Sequence, residues 1–315
     1  MKKIWLISLG VILAVTMITS SLILAGCGDG AGRTASQAAG QTMTITDGVG
    51  REVIVQKNPE RIVSLAPANT EILFALGLGD KVFGVTEICN YPGEAQGKEK
   101  VGGYQGIDLE KVISIDPDLI LAEDLHKTDV VPALEDLGFT VLVMRPHDLK
   151  ETEEAIELIG KITGTGDRAA EIVNDMELRA KAITDLTGTL DVSQLPRVLY
   201  AMYHEPIYTI GTNTFIHEMI MKAGGTNIAA FAGEGWPTLS LEQVISLNPQ
   251  VVIVDNEASL LALNSDFRLA GLDAFKNGRV YLINPDLTSR QGPRIIEGLE
   301  RMSRMIHPEL FGPVN

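Results

Sequence analysis

Two glutamates occupy matching places in two copies of one short sequence pattern, and their carboxylates are the first candidates for a function. Residues 108–122 (DLEKVISIDPDLILA) are echoed by residues 240–254 (SLEQVISLNPQVVIV), so that Glu110 corresponds to Glu242, 132 positions later. Each glutamate would lie in the first turn of a short helix, beside its apolar stripe and facing water. The helix dipole alone favours a carboxylate there by about 0.3–1 kcal/mol. Alternatively, one exposed glutamate on each half of the molecule pairs with an arginine on each half of a symmetric partner.

The five histidines are too far apart in sequence to indicate a metal site by their spacing. A site for bare zinc or manganese needs several converging histidines and carboxylates. Such a site cannot be assembled from His126, His147, His204, His217 and His307. We therefore expect no metal site and no cofactor belonging to the protein itself. His204 differs from the others because it follows an apolar strand in a predicted loop, from which it could approach the metal centre of a ligand.

The sequence signatures of common enzymes are incomplete. Residues 217–222 (HEMIMK) lack the second histidine of a zinc-protease helix, and residues 93–98 (GEAQGK) are too short for a P-loop. No G-x-S-x-G elbow is present. We therefore expect a protein without catalytic residues. An exported α/β hydrolase and a tethered receptor that reports its ligand to a sensor are the alternatives from other classes.

The first residues indicate an exported, lipid-anchored protein. Lys2 and Lys3 precede a largely apolar run that ends in small residues before Cys27, which is typical of an export signal. Residues 24–27 (LAGC) resemble the lipobox of bacterial lipoproteins, which implies a signal peptide at 1–26 and lipidation of Cys27. The alternative is an uncleaved membrane anchor of about 20 residues. In both cases the rest of the chain lies outside the cytoplasm, and residues 27–41 form a flexible tether.

Composition and charge fit a globular protein of two domains. A chain of 315 residues is long enough for about two domains, and its hydrophobic fraction of 45% fits packed α/β structure. The formal net charge is −15, and it becomes −17 without the signal peptide and its two lysines. This charge argues against a nucleic-acid partner. Cys27 and Cys89 are the only cysteines, which excludes a disulfide framework.

Apolar strands alternate with helices through the rest of the sequence, which predicts βαβ units and parallel sheets. Residues 42–55 read as a β-hairpin. A strand at residues 61–67 is followed by a helix that Asn69 and Thr70 can cap. A similar order of elements restarts at residues 196–203 (PRVLYAMY), so each half of the chain repeats one topology.

One long helix is predicted between the two halves. Residues 168–186 carry apolar residues close to helical spacing, and nineteen residues of helix would reach roughly 30 Å. We therefore predict an α/β fold of two lobes, each a parallel-sheet α/β sandwich. The lobes would occupy residues 42–166 and 191–315, and the helix that joins them residues 167–190.

Five segments in order, together with the lipobox, resemble a known family. They are residues 61–77 (RIVSLAPANTEILFALG), 91–96 (YPGEAQ), 104–122 (YQGIDLEKVISIDPDLILA), 235–250 (GWPTLSLEQVISLNPQ) and 286–294 (DLTSRQGPR). The chain thereby resembles the class III substrate-binding proteins of ABC importers for iron complexes and cobalamin, and is most similar to the cobalamin-binding branch. The resemblance implies a ligand between two lobes that move little against each other. It also implies that Glu110 and Glu242 dock onto arginines of the two permease subunits.

The resemblance also implies which residues meet the ligand. A corrin or porphyrin is a broad, mostly apolar plate that needs flat side chains and a few polar groups at its rim. The positions that match the cobalamin-binding pattern are the aromatic Tyr104, Tyr208 and Trp236, the polar Asp286 and Arg290, and Ala68. Ile88 stands where that pattern has a tyrosine. Arg290 could equally be the salt-bridge partner of Asp286.

These matches imply a lipid-anchored, monomeric binding protein that delivers cobalamin or a related corrinoid to an ABC permease dimer with its ATPase subunits. Because Ile88 departs from the cobalamin pattern, haem and a ferric siderophore are the alternative ligands.

Overall fold

The computed structural model describes residues 42–314. The predicted signal peptide (1–26), the predicted lipidation site Cys27 and the predicted tether (27–41) lie outside these residues. Within the described part, no helix is both long enough and apolar enough to cross a membrane.

Strands and helices alternate along most of the described chain, and short 3-10 turns connect several of them. The strands are β1 (Thr42–Thr46), β2 (Glu52–Gln56), β3 (Ile62–Ser64), β4 (Val82–Val85), β5 (Glu99–Lys100), β6 (Leu119–Glu123), β7 (Val141–Met144), β8 (Arg197–Ala201), β9 (Ile207–Tyr208), β10 (Thr226–Asn227), β11 (Thr238–Leu239), β12 (Val251–Val254) and β13 (Val280–Leu282). The helices are α1 (Pro67–Ala75), α2 (Leu109–Ile115), α3 (Val130–Asp136), α4 (Leu149–Thr163), α5 (Gly166–Thr187), α6 (Phe215–Lys222), α7 (Leu241–Leu247), α8 (Glu257–Ser265), α9 (Asp273–Lys276), α10 (Asp286–Ser289), α11 (Ile295–Ile306) and α12 (Pro308–Phe311).

The first lobe is built on a five-stranded parallel sheet in the order β5-β4-β3-β6-β7. Side chains alternate between its two faces, as the pleat requires. Val63 and Ile120 pack with α2 and α3 on one face, whereas Ile62 and Leu121 pack with α1 and α4 on the other. Because both faces are covered, the strands read as continuous apolar runs in the sequence.

The second lobe repeats this construction on a four-stranded parallel sheet in the order β10-β8-β12-β13. Leu199 and Val252 face α7, α8 and α9, whereas Val198 and Ile253 face α6 and α11. The predicted α/β fold with one parallel sheet in each of two lobes is therefore confirmed.

The long helix predicted at residues 168–186 is α5, the longest helix of the described chain, with 22 residues. It packs against α4 of the first lobe and against α6 and α11 of the second. One continuous cluster of buried apolar side chains runs from the first sheet through α4 and α5 to α6, α11 and the second sheet. The lobe boundaries at 42–166, 167–190 and 191–315 remain our proposal for the division into domains.

Two local predictions had different outcomes. The hairpin predicted at residues 42–55 is present as the antiparallel pair of β1 and β2. The predicted capping of α1 by Asn69 and Thr70 is wrong, because the helix already begins at Pro67, whose fixed φ suits a first helical position. Both side chains instead tie the helix to the sheet. Asn69 donates to the carbonyl of Ala122, and the Thr70 hydroxyl lies 2.8 Å from that of Ser64.

Carboxylates crowd together where α4, α5 and α6 meet. Partial burial and the neighbouring carboxylate of Glu177 raise the pKa of Glu153 to about 7 from 4.5. Glu218 of α6 lies in the same group, and it accepts a hydrogen bond of 3.0 Å from the backbone N–H of Leu149 at the start of α4.

Replacement of Glu153 by glutamine is expected to stabilise the protein at high pH only. The folded-state pKa is raised, so the contribution of Glu153 to stability is complete below about pH 4.5 and is lost as the pH rises through about 7. Glu153→Gln should raise the free energy of unfolding by about 1 kcal/mol at pH 8, since solvent screens a half-buried group. At pH 4 it should change little. Glu154→Gln, one residue along and exposed, is the matched control, and an equal gain from it in urea unfolding would contradict the prediction.

Candidate ligand-binding and docking sites

A cavity of about 210 Å³ is lined by residues of both lobes. Pro146 and His147 of the loop after β7 contribute from the first lobe. Met202 and Asp255, which follow β8 and β12, contribute from the second lobe. The cavity therefore lies at the carboxyl ends of parallel strands, where ligands bind in open α/β sheets. It is smaller than the roughly 300–1,000 Å³ usual for ligand pockets, so a large ligand would extend beyond it into the open cleft.

Trp236 lines this cavity, and its indole is largely unpacked. It belongs to the loop before β11, and 66% of its surface is exposed. An exposed indole leaves a large apolar ring in contact with water, which is unfavourable, and a flat ligand would cover this ring. Trp236 is the one of the three predicted aromatic residues that lines the cavity.

Tyr104 lies at a separate position in the first lobe, in a hydrogen-bonded group. Its hydroxyl donates to Glu123 Oε2 at 2.7 Å, and burial together with this carboxylate raises the pKa of Tyr104. His126 accepts at Nδ1 from the backbone N–H of Glu123, so its Nε2 donates to the carbonyl of Tyr104 at 3.0 Å. Burial lowers the pKa of His126 and raises that of Glu123. The ring of Tyr104 is thus held in place, with 39% of the residue exposed.

A set of charged and polar side chains joins the two lobes. We call it the interlobe salt-bridge cluster, and its members are Glu71, Asn90, Asp286, Arg290 and Arg294. Glu71 on α1 is 3% exposed. Its carboxylate accepts from Arg294 at 2.7 and 2.8 Å and from Arg290 at 3.1 Å. The hydrogen bonds that Arg294 donates to Glu71 raise the pKa of Arg294, against the effect of burial.

Four of the predicted ligand positions come together at this cluster. Arg290 Nη2 pairs with Asp286 at 2.8 Å, which is the salt bridge weighed as the alternative role of Arg290. Arg290 also lies 3.4 Å from the carbonyl of Ile88. Ala68 is buried where the lobes approach, since a Cβ at Gly292 would lie 3.4 Å from its carbonyl oxygen. The side chain of Arg290 is only 11% exposed, so a ligand could reach its guanidinium only if the cluster rearranged.

Tyr208 and His204 lie on the second lobe and are not among the residues that line the cavity. Tyr208 on β9 is exposed and meets Tyr203 edge to face at 6.5 Å. His204 Nε2 lies 3.0 Å from Asp266 Oδ2. His204 borders a surface depression together with Glu242. The structure therefore places His204 beside a predicted docking residue.

The two glutamate helices, α2 and α7, match in length and in their caps. Each has seven residues and carries its glutamate, Glu110 or Glu242, exposed in the first turn. Asp108 caps the first helix and Ser240 the second, each by accepting from a backbone N–H three residues on. Hydrogen bonds from its own backbone N–H and from Ser240 lower the pKa of Glu242.

An arginine fixes the carboxyl end of each glutamate helix. Arg61, just before β3, donates to the carbonyl of Ile115 at 2.6 and 3.0 Å. Arg197, the first residue of β8, donates to the carbonyls of Leu247 and Asn248 at 3.1 and 2.8 Å. A cation is favoured at a helix C-terminus, and each arginine also ties the helix to its sheet. Each glutamate helix directly precedes a parallel strand of its sheet, β6 for α2 and β12 for α7.

The sequence analysis missed several residues that the structure brings to the cleft. Glu71 and Arg294 are 223 positions apart, and each belonged to a segment assigned by resemblance without a role of its own. Asn90 is the cross-lobe partner of Arg290. His147 was considered only as one of five separated histidines. Among residues 42–314, no group of three or more histidine, cysteine or acidic side chains is arranged to hold a metal ion.

The molecule has two α/β lobes with one parallel sheet each, a helix that connects them and a cavity that both lobes line. These features define the class: this is a two-lobe ligand-binding protein. The profile described as "Periplasmic binding protein" matches residues 62–287. The chain therefore belongs to the periplasmic binding protein family, and the resemblance noted in the sequence is confirmed at this level.

Three relatives show where the chain stands within that family. It is 36% identical to the ABC transporter substrate-binding lipoprotein YvrC of Bacillus subtilis, over 94% of this chain and 96% of the relative. The crystal structure of the vitamin B12-binding protein BtuF of Vibrio cholerae is similar at a TM-score of 0.68 and 30% identity, over 79% of this chain and 96% of that one. The structure of the periplasmic haem-binding protein RhuT of Roseiflexus sp. RS-1 is similar at a TM-score of 0.70 and 25% identity, over 79% of this chain and 98% of that one.

Proposed function

We propose that the protein is the extracytoplasmic, lipid-anchored substrate-binding protein of an ABC importer, and that it captures cobalamin or a related corrinoid between its lobes. The observation that carries this proposal is the exposed indole of Trp236 in a cavity lined by both lobes. The likeness to an ABC transporter substrate-binding lipoprotein over nearly the whole chain supports the transport role and the lipid anchor at Cys27.

A flat, largely apolar ligand suits the side chains of this cavity. Trp236 offers a broad exposed face, and Met202 and Phe215 add apolar surface around it. Polar side chains also line the cavity, among them Asp255 and Thr288, and they could meet the polar groups at the rim of the ligand. Because the enclosed volume is small, such a ligand would lie with one part against Trp236 and the rest along the open cleft towards Tyr104 and Tyr208.

Cobalamin is preferred over haem because of the relatives rather than the cavity. The vitamin B12-binding protein of Vibrio cholerae is 30% identical to this chain, compared with 25% for the haem-binding protein RhuT. Ile88 is the residue that favours the second candidate, haem or a ferric siderophore, because it replaces the tyrosine of the cobalamin pattern.

Delivery of the ligand would use the two glutamate helices. Glu110 and Glu242 are exposed at equivalent positions of the two lobes, which suits a permease made of two like subunits with a basic residue on each. The partners are then the permease dimer and its ATPase subunits. The protein would act as a monomer, because both lobes of one chain are needed to meet both halves of the permease.

Titration of the soluble part, residues 41–315, with cyanocobalamin, haemin and ferric siderophores tests the ligand. We expect a one-to-one complex with cyanocobalamin in calorimetry. Trp236→Ala should weaken this complex by about 1–4 kcal/mol, roughly 5- to 900-fold, if the indole stacks on the ligand. Phe267→Ala removes an aromatic side chain that is 85% exposed and does not line the cavity, and it should leave the affinity unchanged. Binding of siderophores alone would overturn the choice of corrinoid.

A further inference from the structure

His147 is the one histidine of this chain whose ring is free. All five histidines lie within the described residues, and in this part of the chain neither ring nitrogen of His147 has a hydrogen-bond partner. The other four each have a ring nitrogen within 3.1 Å of a partner, which is the carbonyl of Tyr104 for His126, Asp266 for His204, Asn227 for His217 and Glu309 for His307. Four imidazoles are therefore used in holding the fold together, and one is not.

His147 is also the only histidine that lines the cavity between the lobes. It follows Pro146 in the loop after β7, and its backbone N–H donates to Glu151 Oε2 at 2.7 Å. The backbone is thus anchored at the start of α4 while the exposed imidazole keeps both nitrogens available. His147 also borders a shallower depression on the first lobe. Its position belongs to the first lobe, whereas Trp236, which lines the same cavity, belongs to the second.

This arrangement offers two different chemistries to a ligand held between the lobes. A planar metal macrocycle can stack one part of its surface on an indole, and its metal accepts a further ligand along the axis perpendicular to the plane. Imidazole is a good ligand for transition metals when one ring nitrogen is free. A histidine without a hydrogen-bond partner can turn its ring towards such an axis without losing an existing contact.

We propose that His147 coordinates the cobalt of a bound corrinoid, so that the protein prefers corrinoids whose upper axial ligand is an exchangeable water. This inference rests on the proposed function. The step is a ligand substitution: the bond between cobalt and water breaks, the water leaves, and a bond from cobalt to an imidazole nitrogen forms. The other ring nitrogen keeps its proton, and the oxidation state of cobalt does not change. His204 is not placed to serve in this way, because it does not line this cavity.

The test compares two forms of one ligand by visible absorption spectroscopy. The protein is the full chain in detergent without a histidine tag, because the imidazoles of a tag would also coordinate cobalt. Aquocobalamin, which carries an exchangeable axial water, should bind with a shift of its visible bands to those of an imidazole complex. Cyanocobalamin, whose axial cyanide is held tightly, should bind without this shift and roughly tenfold or more weakly.

Two variants identify the residue responsible. His147→Gln should abolish the band shift and make the affinities for the two cobalamins equal, while both ligands still bind. His204→Gln removes an imidazole outside the cavity and should keep the shift. Binding of aquocobalamin without a shift, or a shift that survives in His147→Gln, would overturn the inference and leave the proposed function standing. Failure of both cobalamins to bind would overturn the proposed function and the inference with it.

Discussion

Reversal of charge at both docking glutamates is expected to abolish ligand uptake while ligand affinity stays unchanged. Glu110→Arg and Glu242→Arg replace two exposed carboxylates that do not line the cavity. If each carboxylate meets a permease arginine, reversal places like charges opposite each other at two contacts, and each such contact costs several kcal/mol. Uptake of labelled ligand by cells should then fall by more than about 100-fold, and calorimetry on the purified variant should give the affinity of the parent.

Controls separate docking from a general effect of charge. Glu52→Arg and Asp185→Arg together make the same change in net charge at exposed positions, on the hairpin and on α5, and uptake should persist. Loss of affinity together with uptake would count against separate docking and ligand sites. Normal uptake by the doubly reversed protein would remove the docking role from both glutamates. That result would also be compatible with the alternative function, a tethered receptor that reports its ligand to a sensor without delivering it.

Neutralising Glu71 is expected to destabilise the protein far more than breaking an exposed ion pair. Glu71→Gln removes the carboxylate that pairs with both Arg290 and Arg294, and the side chains of these arginines are 11% and 15% exposed. Removing one partner from a buried ion pair costs about 3–5 kcal/mol, because the remaining charge stays poorly solvated. For a protein of this size the thermal midpoint should fall by roughly 6–20 °C.

An exposed ion pair provides the comparison for Glu71. Arg168 and Glu171 on α5 lie 2.8 Å apart, but both side chains are more than half exposed. Glu171→Gln should cost about 0–1 kcal/mol, as surface pairs do. Equal effects of the two substitutions in urea unfolding would show that the interlobe salt-bridge cluster contributes no more to stability than a surface pair.

The order of strands and helices could be predicted because it depends on local patterns. The runs at residues 119–122 and 251–254 are buried on both faces, so they are continuously apolar, and the repeated helix before each is visible as a repeat in the sequence. The predicted start of α1 was wrong, and the reason for the prediction was that Asn69 and Thr70 are of residue types that commonly cap helices. Here the proline two positions before Asn69 already begins the helix, and both polar side chains bind the sheet.

Contacts between distant parts of the chain could not be predicted in this way. Nothing near Glu71 in sequence indicates that its partners are Arg290 and Arg294, because the fold alone brings α1 to the loop before α11. The free imidazole of His147 could not be predicted either, for the same reason. Its availability depends on what surrounds it, and a single histidine in a predicted loop carries no sign of whether its ring has a partner.

The arginines at the ends of the two glutamate helices have a consequence for the kinetics of import. Arg61 and Arg197 tie these helices to the sheets and not to any ligand, and the apolar cluster through α4, α5, α6 and α11 resists rotation of one sheet against the other. On the docking proposal, an empty protein presents the same pair of carboxylates as a loaded one. Unloaded copies then occupy permeases in competition with loaded ones, so that surplus receptor slows import when cargo is scarce.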